Sequence, residues 1–301
     1  MEPIITLVGF LGSGKTTVLK RLVVGFIERE WKPFVVLNDY ENAYLDAHQL
    51  EGQIEPNWLK PLSGSCICCS GIAELRESVN NIPERQKGIT VIEANGTSDA
   101  CSLSGFLGVG VRERFLPPVQ VSVVDVKNWQ KRGEHNDLEK SQIMVSSLIV
   151  LTHLEQVSDD RINEVIVSIM KSNRFAEIIR LEDLHVELLP KLLPSKNILN
   201  SVDHEKFHWA SCSADLPIMN SENQIREILN SIPKSVLRVK GCVKLGKNEP
   251  YTFFERLPDG KVLIRPFHGE PITGSKILTI GPGSDSNSLN RLIDSIVLEK
   301  S

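Results

Sequence analysis

The sequence predicts an α/β protein: a mostly parallel, doubly wound sheet followed by a smaller C-terminal α+β domain. Three observations predict it. Short apolar runs alternate with stretches of helical spacing through the first 200 residues. A glycine-rich turn joins the first apolar run directly to the first helical stretch. Beyond residue 200 the texture changes to short alternating strands, a hairpin signal at Pro258-Asp259-Gly260 and two helical patterns. Domains are therefore expected over 1–200 and 201–301.

Residues 4–8, Ile-Ile-Thr-Leu-Val, read as a buried strand, and a helix comes next to about residue 30, where Trp31-Lys32-Pro33 breaks it. Residues 34–37 form the second strand, which ends at Asn38-Asp39. Residues 46–61 show no period and are expected to be a variable loop. An amphipathic helix covers 72–79, and a third strand, 88–93, ends in Glu93. Strands at 119–125 and 147–151 and helical stretches at 142–145, 159–173 and 183–193 complete this half. In the second half, strands are expected at 207–212, 236–245, 251–257, 262–266 and 276–280, with helices at 222–232 and 287–298.

The 301 residues allow a sizeable core, and 41% hydrophobic with 24% charged residues is a globular balance. A net charge of −4 gives no electrostatic reason to expect nucleic acid or an anionic membrane as partner. No apolar run has the length of a membrane span. The chain enters its first strand without a basic segment and cleavage site, so a cytoplasmic location is expected. Nothing in the surface pattern decides between monomer and homodimer.

The turn after the first strand is Gly9-Phe10-Leu11-Gly12-Ser13-Gly14-Lys15-Thr16-Thr17, a G-x-x-x-x-G-K-T match between strand and helix. Its glycines let successive N–H groups converge on one anion, and the helix N-terminus adds free N–H groups and a positive dipole end. Lys15 would reach the β- and γ-phosphates of a nucleotide, and the Thr16 hydroxyl would hold Mg²⁺. A chance glycine loop would not carry strand and helix on its two sides. Strand ends next to such a loop are where chemistry collects. Asp39 and Glu93 are thus candidate acids near Mg²⁺ and the phosphates, with a solvated acidic loop as the plainer reading of 38–42. Gly96, in the loop beyond Glu93, would approach the γ-phosphate by its backbone N–H.

Three of the six cysteines fall in Cys66-Ile67-Cys68-Cys69. That spacing is too tight for two ordinary disulfides. Thiolates are soft ligands for Zn²⁺ or Cu⁺, and three of them leave a tetrahedral ion one open position, which suits a site that gives its metal away. Cys66 and Cys69 alone would make a redox C-x-x-C, and inert buried thiols are the third reading. The isolated Cys101, Cys212 and Cys242 read as small buried hydrophobes, and His204 and His208 as ordinary strand-start residues.

Phosphate loop, C-x-C-C loop and Glu-x-x-Gly strand end occur in one order. Together they resemble the CobW-type family of P-loop GTPases that handle metals. Val36-Leu37-Asn38-Asp39, Leu62-Ser63-Gly64-Ser65 before the cysteines, Glu93-Ala94-Asn95-Gly96, Val121-Ser122-Val123-Val124-Asp125, the Gln142-Ile143 pair and Val236-Leu237-Arg238-Val239-Lys240-Gly241 fit in sequence. The resemblance implies a P-loop NTPase sheet with a small C-terminal domain. It implies GTP hydrolysis, slow without a stimulus, coupled to delivery of a divalent metal, often zinc, to a client protein. By it, Lys15, Glu93 and Asp39 would serve hydrolysis. Gly9, Gly12, Ser13, Gly14, Lys15, Thr16, Thr17, Gly96 and Glu155 would bind nucleotide. Thr16 would take Mg²⁺, and Cys66, Cys68 and Cys69 would take zinc. The family reads guanine with Asn-Lys-x-Asp; this chain has Thr152-His153-Leu154-Glu155. Glu155 keeps a carboxylate for the guanine N1 and N2 hydrogens, whereas the Asn and Lys contacts are lost or replaced, which leaves both GTP and ATP in play. Two other readings of the chain are a non-hydrolysing nucleotide- and metal-binding regulatory protein and a small-molecule kinase. The second leaves the cysteines unexplained.

Overall fold

The computed structural model describes residues 1–38, 54–62, 72–100, 103–104, 107, 111–155, 157–195, 211–236, 238–257, 260–267, 269–271, 274–281 and 283–298. The chain divides into two compact units, Met1–Phe207 and His208–Ser301.

The first unit is built on a seven-stranded sheet. Its strands are β1 (Ile4–Val8), β2 (Lys32–Asn38), β3 (Leu59–Leu62), β4 (Gly88–Glu93), β5 (Val119–Asp125), β6 (Leu148–Thr152) and β7 (Glu177–Arg180). They pair in the order β3-β2-β4-β1-β5-β6-β7, every pair parallel. Parallel strands need crossovers, and the helices that supply them cover both faces. The described helices here are α1 (Lys15–Glu28), α2 (Ile72–Asn80), α3 (Asn136–Met144) and α4 (Asp159–Ser172).

Alternation along the strands divides the core in two. Ile5, Leu7, Val35, Leu37, Ile89, Val91, Val121, Val123, Leu148 and Val150 face α1, which buries Val18, Leu19, Leu22, Val23 and Phe26 at helical spacing. On the other face Ile4, Val8, Val36 and Ile92 pack on Leu75 and Val79 of α2, while Val124, Ile149 and Leu151 pack on Ile143 of α3 and Ile162, Val165 and Ile169 of α4. At roughly 25 cal/mol per Å² of apolar area, each of these side chains contributes about 1.5–3 kcal/mol, which the ordering of the chain largely offsets. β1 is flanked by three strands on each side, so the loop that leaves its C-terminal end is anchored at the middle of the sheet.

The second unit carries a separate five-stranded antiparallel sheet, in the order β11-β10-β9-β12-β8. Its strands are β8 (Ser211–Asp215), β9 (Arg238–Lys244), β10 (Tyr251–Arg256), β11 (Val262–Pro266) and β12 (Lys276–Ile280). Helices α5 (Glu222–Ser231) and α6 (Ser286–Leu298) cover one apolar face through Ile225, Ile228, Leu229, Leu289, Ile293 and Val297. The buried guanidinium of Arg256 donates to the carbonyls of Leu229, Ile232, Pro233 and Val236, so it satisfies the groups left over where α5 ends. Cys212 and Cys242 are buried, and burial pushes the Cys242 thiol up to about 12, which keeps it protonated.

Three expectations are corrected and one strand is added. Within 46–61, residues 59–62 form a parallel edge strand preceded by a 3-10 turn at Pro56–Trp58. Residues 177–180 form the opposite edge strand, which no expectation covered. The helix expected over 183–193 is instead two 3-10 turns, Leu181–Asp183 and Val186–Lys191, and the internal Pro190 denies the second an α-helical N–H. Of the strand expected at 207–212, residues 207–210 lie outside the described residues, and the described strand, Ser211–Asp215, runs three residues further than expected. Cys101, His204 and His208 lie outside the described residues.

Candidate functional site

The C-terminal ends of β4, β1, β5 and β6 lie side by side; β4, β5 and β6 end in Glu93, Asp125 and Thr152, and β1 ends in Val8 before the glycine-rich loop. From β1 the chain turns through the phosphate-loop sequence into α1, with Gly14, at φ +92°, as the N-cap. Gly9 adopts φ +149°, and a Cβ there would lie 2.4 Å from the Val123 carbonyl oxygen of β5. Only glycine fits, because both the torsion and the close approach exclude a side chain. Ser13 N donates to Phe10 O at 3.1 Å, which closes the turn.

Lys15 is 5% exposed, and its Nζ donates to the carbonyls of Gly9 at 2.8 Å and Phe10 at 3.3 Å. The ammonium thus lies over the loop that leads into its helix. Thr16 Oγ1 donates to Glu93 Oε1 at 3.0 Å, which joins the start of α1 to the end of β4. The register makes this contact natural, since Leu7 of β1 pairs with Glu93 in the parallel ladder. Thr17 is exposed, while Gly12 and Gly14 are half-buried.

The turn after β4 closes on itself. Asn95 Oδ1 accepts from Thr97 N at 2.8 Å and from Thr97 Oγ1 at 2.7 Å. A Cβ on Gly96 would lie 2.7 Å from Leu11 N and 2.5 Å from Leu11 Cδ2, so this turn rests directly on the phosphate loop. From α3, Gln142 Nε2 donates to Gly96 O at 3.1 Å and to Ser98 O at 3.2 Å.

On the other flank, Thr152 Oγ1 donates to Ser13 O at 2.7 Å and lies 3.0 Å from Val124 O. His153 Nε2 lies 3.0 Å from Gly12 O; a carbonyl only accepts, so this nitrogen carries the proton. His153 holds φ +54°, a left-handed conformation that turns its ring toward the loop. Two consecutive phosphate-loop carbonyls, those of Ser13 and Gly12, are thus held by Thr152 and His153. Glu155 is exposed on the turn beyond.

Behind the loop lies a buried ionic cluster that no sequence motif marked. Arg132 NH2 lies 3.1 Å from Asp125 Oδ2 at the end of β5, and Arg132 Nε lies 3.7 Å from Glu139 Oε1 of α3. The guanidinium also covers the Phe10 ring, 4.9 Å from its centroid. Burial raises the Glu139 carboxyl to about 7, opposed by the Gln130 N–H and Arg132 and reinforced by Asp125. The available signal was α3 itself, whose buried residues Glu139, Ser141 and Gln142 are polar.

The structure thus gathers Gly9, Gly12, Ser13, Gly14, Lys15, Thr16, Glu93 and Gly96 at one edge. Asp39, Cys66, Cys68 and Cys69 lie outside the described residues. Among the described residues no group of three or more His, Cys, Asp or Glu could hold a metal ion, and no helix is long and apolar enough to cross a membrane.

A central parallel strand, a glycine loop opening a helix and a carboxylate at the end of the adjacent strand define a P-loop nucleotide-binding domain. The chain belongs to the CobW/HypB/UreG nucleotide-binding domain family, whose model matches residues 3–180. Among its relatives is the zinc-regulated GTPase metalloprotein activator 1 of Dictyostelium discoideum, 23% identical over 239 residues, covering 66% of this chain and 48% of that protein. Another is the zinc chaperone YjiA of Escherichia coli K12, 28% identical over 162 residues and covering 50% of each. The chain spans about half the length of these curated relatives. The crystal structure of Zn(II)-bound YjiA GTPase from E. coli aligns over 98% of this chain and 99% of that one, at 18% identity and a TM-score of 0.43.

Proposed function

We propose that the chain is a GTP-hydrolysing metallochaperone. It binds a divalent metal, zinc, at Cys66, Cys68 and Cys69 and delivers it to a client protein. The observation that carries the hydrolase part is the Thr16–Glu93 hydrogen bond beside Lys15. The family match and the names of two relatives, a zinc chaperone and a zinc-regulated GTPase, support the metal part.

In this reading Lys15 leaves the carbonyls of Gly9 and Phe10 for the β- and γ-phosphates, exchanging neutral acceptors for charged ones. The Thr16 hydroxyl donates its proton to Glu93, so its lone pairs are free for a hard cation. Hydroxyl plus carboxylate is a donor set that fits Mg²⁺, with Asp39 as a second acid. Mg²⁺ there would neutralise charge developing on the phosphate oxygens. Gly96 would meet the third phosphate from the turn seated on Leu11, and Glu155 would reach the guanine edge. Among the described residues no side chain is an obvious general base; in this reading positioning and charge do the work, as is general for phosphoryl transfer.

The test is turnover of GTP and of ATP, with and without Zn²⁺, together with zinc titration against a chelator. Expected are slow GTP hydrolysis and a zinc affinity that falls by orders of magnitude when Cys66, Cys68 and Cys69 are changed to Ser. Tight nucleotide binding without hydrolysis of either nucleotide would favour a regulatory binding protein. Unchanged zinc affinity in the Ser variants would remove the metal site.

A further inference from the structure

We propose that Gln142 is a positioning residue for nucleotide turnover, holding the Gly96–Ser98 turn at a fixed height above the phosphate loop. The role rests on the nucleotide reading above and adds to it a residue that touches neither phosphate nor metal.

Gln142 is 1% exposed in the last turn of α3, where an aliphatic side chain would pack without the cost of burying an amide. Its backbone is fixed first. The carbonyl oxygen lies 2.8 Å from Gln120 Nε2, 2.6 Å from Ser122 Oγ and 3.0 Å from Ser146 Oγ, so residue 142 hangs from β5. Its side chain then spends both N–H protons on one target. They go to the carbonyls of Gly96 and Ser98, on either side of Thr97, 44 to 46 residues away in sequence. The reverse amide orientation would set an oxygen against two carbonyl oxygens, so the donor assignment is dictated by the partners.

The contacts close a ring. β5 holds Gln142, Gln142 holds the turn, and the turn abuts Leu11 through Gly96. The phosphate loop returns to β5 where Gly9 abuts Val123 O. The distance from Gly96 N–H to any group bound in the loop is therefore set jointly by the turn's own hydrogen bonds, its seat on Leu11 and the reach of Gln142. Removing the glutamine's donors loosens the far side of the turn while leaving the loop, Lys15 and Thr16 in place. The cost falls on a step that needs the third phosphate aligned, where a displacement near 1 Å is worth roughly 10²-fold in rate. Binding of a diphosphate, which lacks that group, is spared.

The experiment uses the full chain with Mg²⁺ and compares wild type with Gln142→Met, which keeps length and shape without donors, and Gln142→Glu, which faces the carbonyls with an acceptor. Expected is a kcat for GTP lowered about tenfold or more in Gln142→Met and further in Gln142→Glu, with KM and GDP affinity within about threefold of wild type. Equal kcat in wild type and Gln142→Met would overturn the role. So would GTP and GDP affinities falling together at unchanged kcat, the mark of a brace only. Should the variants not fold, NMR of the wild-type Gln142 side-chain amide decides. Its two protons are expected to shift with a non-hydrolysable GTP analogue and not with GDP, and equal shifts in both would overturn the proposal. Wild type that hydrolyses neither GTP nor ATP would overturn the hydrolase reading, and this role with it.

Discussion

Thr152 Oγ1 donates to the carbonyl of Ser13 across 2.7 Å, tying the end of β6 to a loop 139 residues earlier in the chain. A neutral hydroxyl there, with the His153 ring on the neighbouring Gly12 carbonyl, holds the phosphate loop from the side on which a base would be read. Thr152→Val keeps the shape and removes the donor, leaving a buried carbonyl less satisfied at a cost of about 1–2 kcal/mol. Nucleotide affinity should fall roughly five- to thirtyfold, read by titration with a fluorescent GTP analogue. His153→Ala, at an exposed ring, should cost less.

Gly9 admits no substitute. Gly9→Ala puts a methyl 2.4 Å from Val123 O at φ +149° and should destabilise the fold by at least about 2 kcal/mol, measured by urea unfolding. Gly133 is the control: it has φ +61° and nothing within 4 Å of a built Cβ, so Gly133→Ala should cost only about 1 kcal/mol.

In the proposed Mg²⁺ site the hydrogen-bonded Thr16 and Glu93 act as one ligand pair, so their variants should share a signature. Thr16→Ala and Glu93→Gln should each abolish most of the Mg²⁺-dependent gain in nucleotide affinity. Affinity in EDTA should remain near the wild-type level, because Lys15 and the loop amides are untouched. Calorimetric titrations with and without Mg²⁺ measure both. A full Mg²⁺ response in Thr16→Ala would remove the hydroxyl from the metal site.

Glu139 gives the fold a pH dependence. Its carboxyl is raised in the folded chain from 4.5 to about 7, so the folded state holds a proton that the unfolded state has released. The contribution to stability is complete below about pH 4.5 and is lost as pH rises through about 7. Its size is on the order of 3 kcal/mol. Denaturant midpoints of wild type and Glu139→Gln should diverge over this range, with the wild type losing stability toward pH 8 relative to the amide variant.

In the first unit the strands legible in the sequence were those buried on both faces. β1, β2, β4, β5 and β6 read as apolar runs because helices cover both sides of the sheet. The two strands that escaped notice, β3 and β7, are the edges. Lys60 is exposed and Pro61 half-exposed in β3, and Glu177 and Arg180 are exposed in β7, so neither shows a continuous apolar run. At the site, Lys15, Thr16 and Glu93 were legible because strand–loop–helix chemistry has a fixed spacing. The contacts of Gln142 and Thr152 were not, since they depend on partners brought close only by the sheet order. A helix whose buried positions are polar, as at Glu139 and Gln142, is the pattern that would have drawn attention to α3.

The central place of β1 has a consequence for how the molecule melts. β1 has three strands on either side of it, and both its faces are sealed. Its amides exchange with solvent only when the whole first unit opens, whereas those of β3 and β7 exchange by fraying. The nucleotide loop therefore hangs from the last segment to come apart. Damage or heating that strips the sheet from its rims leaves a chain still able to grip phosphate.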